Sequence, residues 1–281
     1  SNNFLQILYD ASPTLIQTLM LNMYAGGVHK ERYGKVFRNV ASELEKTQYF
    51  SVDQIDEYQQ RCMQEIVTHA YDSVPYYREI LDKIQIKPED IRTKRDLHLI
   101  PILTKDDIRR NIDKLISTRH KKSQLIHGHT SGTTGSPLDV YWDRNVCIYT
   151  NAVDWRQKSW AGVNYRDRIA LLLGRMIVPA IRGTPPFWRM NYVHNQLWMS
   201  AFHMNERNLE HYIDKLSVFQ PAAIEGYPST VYILARYLES KGKVLPVRAV
   251  FTSSETLHSF QRETIERARE EDPESASAEY D

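Results

Sequence analysis

The chain has 281 residues, of which 42% are hydrophobic and 25% charged, and its formal net charge is +1. That is enough chain to bury a sizeable core in one large or two medium domains. A near-neutral balance excludes a global basic field of the kind that gathers nucleic acid or an anionic membrane surface.

In chain order, the first apolar stretch is Leu15–Tyr24. Gln17, Thr18 and Asn22 interrupt it, and it is too short and too polar to span a bilayer. A docked amphipathic helix is the expectation, and nothing at the N-terminus reads as a secretory signal. Val52–Ala70, free of proline and glycine, puts Ile55, Tyr58, Cys62, Ile66 and His69 near helical spacing. Val74-Pro75 breaks that helix, because the residue before proline avoids helical dihedrals. A short helix over Arg78–Lys83 follows. Thr104 caps a further helix running to about Leu115, with Asp107 in its first turn. Cys62 and Cys147 show neither zinc spacing nor a disulfide framework, so reduced thiols and a cytoplasmic location are expected.

The texture changes near residue 118. Leu125–His127 is a short strand, a Gly/Ser/Thr loop follows, and Leu138–Trp142 is rich in strand formers. Asp143 caps a helix to about Trp160, which Gly162 ends. Arg168–Leu173 reads as a strand buried on both faces. Gly183–Arg189 reads as a packed surface loop, and Leu197–Phe202 as a strand. Asn205 caps a helix over Glu206–Phe219, and Ala222–Ile224 is a strand. Ser229 caps Thr230–Lys241, Val247–Thr252 is a strand, and Ser259 caps a helix through Arg269. This alternation predicts an α/β fold, a mostly parallel sheet covered by helices. The expected organisation is a mainly helical region 1–117, an α/β part 118–269, and an acidic disordered tail 270–281.

Chemistry concentrates in Thr130-Ser131-Gly132-Thr133-Thr134-Gly135-Ser136-Pro137. Glycines let several backbone N–H groups point one way, making an anion nest. The hydroxyls add donors to phosphate oxygens, and one could ligate magnesium. The Gly-Lys-[Ser/Thr] ending of a Walker loop is missing, and strand-like residues follow, so the loop is expected between two antiparallel strands. A plain flexible turn is the alternative. Gly128-His129-Thr130-Ser131-Gly132 also mimics the hydrolase elbow, with threonine in the serine position and no strand-to-helix turn. Arg175 could meet a carboxylate or phosphate, or be a surface arginine. His127 and His129 read as structural, and no cluster has metal-ligand spacing.

This loop resembles the signature of the adenylate-forming enzymes (acyl-CoA synthetases, luciferases and peptide-synthetase adenylation domains), Thr-Ser-Gly-Thr-Thr-Gly-x-Pro, usually followed by lysine. Leu138 stands there instead, as in the phenylacetate–CoA ligase-like branch with its capsular-polysaccharide-associated members. His69–Arg78, Leu99–Asp107, Glu225–Ser229 and Thr252–Leu257 are similar to further landmarks of that branch, so the resemblance runs from about residue 50 to 268. It implies that Thr130, Ser131, Gly132, Thr133, Thr134 and Gly135 bind ATP phosphates and that Ser253, Ser254 and Glu255 bind adenine. It places an acyl or aryl pocket near Gly226, Tyr227 and Pro228, although Tyr227 could equally pack in the core. ATP with magnesium, a small carboxylic acid and coenzyme A as a candidate thiol are the implied ligands. No catalytic residue is assigned.

The resemblance also implies parts that this sequence does not show. They are a Tyr-Gly-x-x-Glu segment, a ribose-binding aspartate, a hinge, and a C-terminal domain with a catalytic lysine. The expectation is the N-terminal portion of a truncated adenylate-forming large domain, inactive alone, whose partner is the missing C-terminal portion. A non-catalytic nucleotide- or acyl-binding protein of the same fold is the alternative.

Overall fold

The computed structural model describes residues 3–130, 137–172, 174 and 176–269. The loop residues Ser131–Ser136, Arg175 and the acidic segment 270–281 lie outside the described residues. The chain divides into two compact units. One holds the residues up to Gly34 and those from Asp154 onward, the other Lys35–Val153.

Two helices open the chain, α1 (Asn3–Ala11) and α2 (Thr14–Arg32). The middle unit then runs through α3 (Lys35–Thr47) and α4 (Val52–Ser73), the latter started by a capping box between Ser51 and Gln54. The break after α4 is one residue wide. Val74 ends α4 and precedes α5 (Pro75–Lys83), because proline fits the first helical position, where no N–H is needed. The predicted helix from Arg78 therefore starts three residues early. Helix α6 (Lys105–Asn111) has the predicted Thr104 cap, closed into a box by Asp107, but ends before Leu115. Strands β1 (Ile126–His129) and β2 (Asp139–Trp142) then pair antiparallel, with Ile126 opposite Trp142 and His129 opposite Asp139. Helix α7 (Arg144–Trp160) follows, and Asp143 accepts the Val146 N–H at 3.1 Å as its cap. Gly162 leaves it at φ +68°, a turn glycine makes without strain.

The remaining elements are β3 (Ile169–Leu172), β4 (Trp188–Asn191), β5 (Gln196–Met199), α8 (Leu209–Phe219), β6 (Ala223–Gly226), α9 (Pro228–Ser240), β7 (Ala249–Thr252) and α10 (Ser259–Arg269). They build a five-stranded sheet in the order β4-β5-β3-β6-β7, parallel except for β4, which runs antiparallel to β5. All four residues of β3 are buried, as expected for a strand covered on both faces. Leu172, Leu197 and Ile224 form a core with Tyr212, Leu216, Leu234 and Ile265 of the helices α8, α9 and α10.

Three details depart from the sequence reading. Part of Gly183–Arg189, expected as a surface loop, enters the interior. Trp188 and Arg189 begin β4, and Phe187 and Arg189 are buried. Helix α2 docks through Gln17, Leu21 and Ala25 and turns Leu15, Leu19 and Met23 outward, so several of its large apolar side chains do not pack. Helix α8 begins at Leu209 rather than Glu206, because the Asn205 side chain accepts the Asn208 N–H in a preceding turn.

The inward polar face of α2 has partners. Asn22 Nδ2 donates to the Met190 carbonyl at 2.8 Å, and Asn22 Oδ1 accepts the Tyr192 N–H at 2.7 Å. Gln17 accepts from the buried Arg189 and donates to the Tyr9 carbonyl at 2.9 Å. No described helix is long and apolar enough to cross a membrane.

Candidate functional site

In parallel sheets, ligands sit outside the carboxyl ends of the strands. Here three neighbouring strands, β3, β6 and β7, end together. Gly226 closes β6 opposite Leu172 of β3 and Thr252 of β7. A Cβ on Gly226 would lie 3.0 Å from both Leu172 Cβ and Val231 Cγ2, so glycine lets β6 and the start of α9 approach β3 without a neighbour having to shift. Tyr227 then reaches sideways over the end of β3. A Cβ on Gly174 would meet its ring at 2.9 Å and its hydroxyl at 3.3 Å. Tyr227 is half-buried, with its ring across Gly174.

The turn after β7 is tied to the same place. Ser253 N–H donates to the Gly226 carbonyl at 3.4 Å, and Ser254 adopts φ +68°, a left-handed conformation uncommon for serine. Glu255 reaches across and accepts the Ser229 N–H at 3.0 Å. Ser229 is not the predicted cap, because Pro228 already stands in the helix and Tyr227 precedes it without a side-chain cap. The acceptor comes instead from the Glu255 carboxylate, whose charge suits a helix N-terminus. Gly226, Tyr227, Pro228, Ser253, Ser254 and Glu255, inferred as two separate patches, thus form one connected rim.

The hairpin of β1 and β2, whose strands flank residues 131–136 in sequence, belongs to the other unit. Leu138 and Thr130 close its base. Thr130 N–H donates to the Leu138 carbonyl at 3.0 Å, and the Thr130 hydroxyl accepts the Leu138 N–H at 3.1 Å. The Trp142 ring packs across Gly128, leaving no room for a side chain there. His127 sits 2.7 Å from Asp139 and stacks on Tyr141. Among the described residues, strand β1 is followed by a second strand that pairs with it, not by the helix of a hydrolase elbow. Among the described residues, no three His, Cys, Asp or Glu side chains converge to hold a metal ion such as magnesium.

Two features went unnoticed in the sequence. Lys158, on α7, is only 4% exposed. It meets Asp154 at 2.5 Å and Glu225 at 2.9 Å, one residue before Gly226. The Asp154–Lys158 spacing looks like an ordinary exposed helical pair; only the register opposite Glu225 reveals its burial.

The second feature is an aromatic cluster. His29 of α2 and Tyr33, which caps that helix, stack at 5.5 Å, and His194 approaches their rings at 5.4 and 5.1 Å. Tyr165 joins through its hydroxyl, 3.1 Å from His29 Nδ1. The Asn191 amide nitrogen faces His194 Nδ1 at 3.3 Å, which puts the ring proton on Nε2, and that buried atom has no partner among the described residues. Burial first, then the nearby His29 and Arg166, hold the His194 pKa below its ordinary 6.5. The unfolded chain then binds the proton more readily than the folded one. Stability is full above the unfolded value and falls as pH drops through it toward the folded value. Urea midpoints are expected to fall between about pH 7.5 and about pH 5.5, and His194→Phe should flatten that decline. An equal pH slope in parent and variant would clear His194 of the effect.

No family model matches the chain. It is 32% identical over 275 residues to protein CapK of Staphylococcus aureus, covering 94% of this chain and 58% of that one. It is 28% identical over 200 residues to phenylacetate–coenzyme A ligase of Escherichia coli K12, covering 70% of this chain and 44% of the ligase. The chain thus spans about half the length of these curated relatives. Among solved structures, it superimposes on a 2-hydroxyisobutyryl-CoA ligase in complex with 2-HIB-AMP and CoA. The TM-score is 0.53 at 17% identity, over 78% of this chain and 48% of that one. By sequence the chain is thus a relative of CapK and of the phenylacetate–coenzyme A ligases, and it shares its fold with a 2-hydroxyisobutyryl-CoA ligase.

Proposed function

We propose that the chain carries nucleotide- and acyl-binding parts of an ATP-dependent acid–thiol ligase. The observation that carries this reading is the connected rim at the ends of β3, β6 and β7, where Tyr227 lies over Gly174 and Glu255 pins the turn after β7 to the start of α9. In this reading Ser253, Ser254 and Glu255 bind adenine. Gly226, Tyr227 and Pro228 wall the acid, with the tyrosine ring as an apolar face. Thr130–Gly135 bind the phosphates through backbone N–H groups and hydroxyls. A carboxylate oxygen attacks the α-phosphorus of ATP, the bond to the β-phosphate oxygen breaks, and pyrophosphate leaves. A thiol such as coenzyme A then displaces AMP from the acyl carbon. The chain's part is to hold the reactants in line and present donors to charged oxygens.

Titration calorimetry with ATP and with a sulfamoyl analogue of phenylacetyl-adenylate tests the binding. Heat of binding is expected for both ligands, tighter for the analogue because it occupies both patches. No heat with either would sink the proposal. Acid-dependent pyrophosphate release, measured separately, decides whether the chain also catalyses activation or serves only in binding.

A further inference from the structure

Lysine is poorly suited to a dry interior, yet Lys158 is nearly inaccessible. Its ammonium lies 2.5 Å from Asp154 Oδ2, one turn earlier on α7, and 2.9 Å from Glu225 Oε2. The rings of Trp155 and Phe251 flank it at 5.4 and 5.8 Å. Burial alone would push the ammonium's pKa down, but attraction to Glu225 and Asp154 outweighs it and holds the pKa above the ordinary lysine value. The group is a permanent cation within the fold.

Stability alone does not account for such a group. Replacing a buried ion pair by apolar side chains of similar volume is often neutral or stabilising, because desolvation offsets most of the attraction. An ammonium can do what a methyl group cannot, namely fix the position of a carboxylate. That carboxylate belongs to Glu225, which precedes Gly226 and Tyr227 and pairs in register with Phe251, two residues before Ser253. A single buried cation therefore contacts both β6 and β7 just ahead of the points where the two halves of the rim emerge.

We infer that Lys158 is a positioning residue, which sets the ends of β6 and β7 through Glu225 and Phe251 and thereby orients Gly226–Tyr227 and Ser253–Glu255 without touching a ligand. The part of this inference that concerns ligands rests on the proposed function. The part that concerns strand ends does not.

The test uses the full chain with Lys158→Met and Lys158→Arg. Ligand-free hydrogen exchange is expected to quicken in Lys158→Met at residues 224–227 and 251–253 while α8 keeps its protection, and the urea midpoint falls because the Glu225 carboxylate loses its cation. Affinity for the acyl-adenylate analogue should fall by about tenfold or more. Lys158→Arg, which keeps the cation, should restore most of both. Unchanged exchange at the strand ends overturns the inference. So does loss of protection throughout the unit, α8 included, which would make Lys158 a general scaffold residue. If the parent binds neither ATP nor the analogue, the proposed function fails, and the exchange comparison still judges the positioning role.

Discussion

Arg189→Ala is expected to destabilise the protein by about 3–5 kcal/mol, the range seen when one member of a buried charged network is removed. Arg189 is 1% exposed and, among the described residues, has no carboxylate within ion-pair distance. Burial, the largest influence, lowers the guanidinium pKa, yet the group stays charged on neutral partners. Its Nε donates to Gln17 Oε1 at 2.9 Å, Nη2 donates to the same oxygen, and Nη1 reaches the carbonyls of Pro186 at 3.1 Å and Trp188 at 2.6 Å. Alanine leaves the buried Gln17 Oε1 without its donor, at a cost of about 1–3 kcal/mol unless water enters, strips the partly buried Pro186 and Trp188 carbonyls of theirs, and adds a cavity. The damage should be local first. Gln17 joins α2 to β4, and its amide holds the Tyr9 carbonyl of α1. Limited proteolysis should therefore find cleavage in α1 or α2 before the sheet is lost. Arg189→Met, which keeps most of the volume, should cost less. A variant with the parent's urea midpoint and the parent's protease resistance would show that Arg189 is dispensable.

Gly226→Val should cost about 3 kcal/mol through overpacking and remove measurable binding of the acyl-adenylate analogue. Two of the atoms that crowd a new Cβ belong to Leu172, its Cβ at 3.0 Å and its backbone oxygen at 3.2 Å. Neither can swing aside without moving β3. Valine adds two further methyl groups, so β6 must pull away from β3 or α9 must lift. Either movement displaces Tyr227 from Gly174. Gly226→Ala should act in the same direction, more weakly. Full stability and full affinity in the valine variant would mean that the close approach at this strand end relaxes freely.

These two positions also show which parts of the fold a sequence reveals. Caps at Ser51, Thr104 and Asp143 involve residues within three positions of one another, so local chemistry decides them. Strands β3, β6 and β7 are short apolar runs between turn signals, and their alternation with helices implies a parallel sheet, whereas the joining of Gly226, Tyr227 and Ser253 at its ends comes from the structure. The rest depends on distant partners. Residues 188 and 189 extend as a strand because α2, some 170 positions earlier, supplies Asn22 and Gln17. Nothing in Gly183–Arg189, with its prolines, announces that. The cap of α9 was misread for the same reason, since the acceptor on the Ser229 N–H stands 26 residues away. Lys158 was invisible because sequence spacing cannot tell which lysine of a helix faces a sheet. The composition of Ser131–Gly135 is legible, but those residues lie outside the described ones; what the structure adds is the pairing of Thr130 with Leu138 on either side of them.

The Asn22 contacts with β4 have a consequence for how the sheet meets other chains. By donating to the Met190 carbonyl and accepting the Tyr192 N–H, the Asn22 amide does what one peptide unit of an additional strand would do. The border at β4 is thereby terminated by a single side chain, while β7 pairs only with β6 among the described residues. An incoming strand, from a misfolded neighbour or from any other source, meets at β4 a template whose outward groups α2 has already occupied.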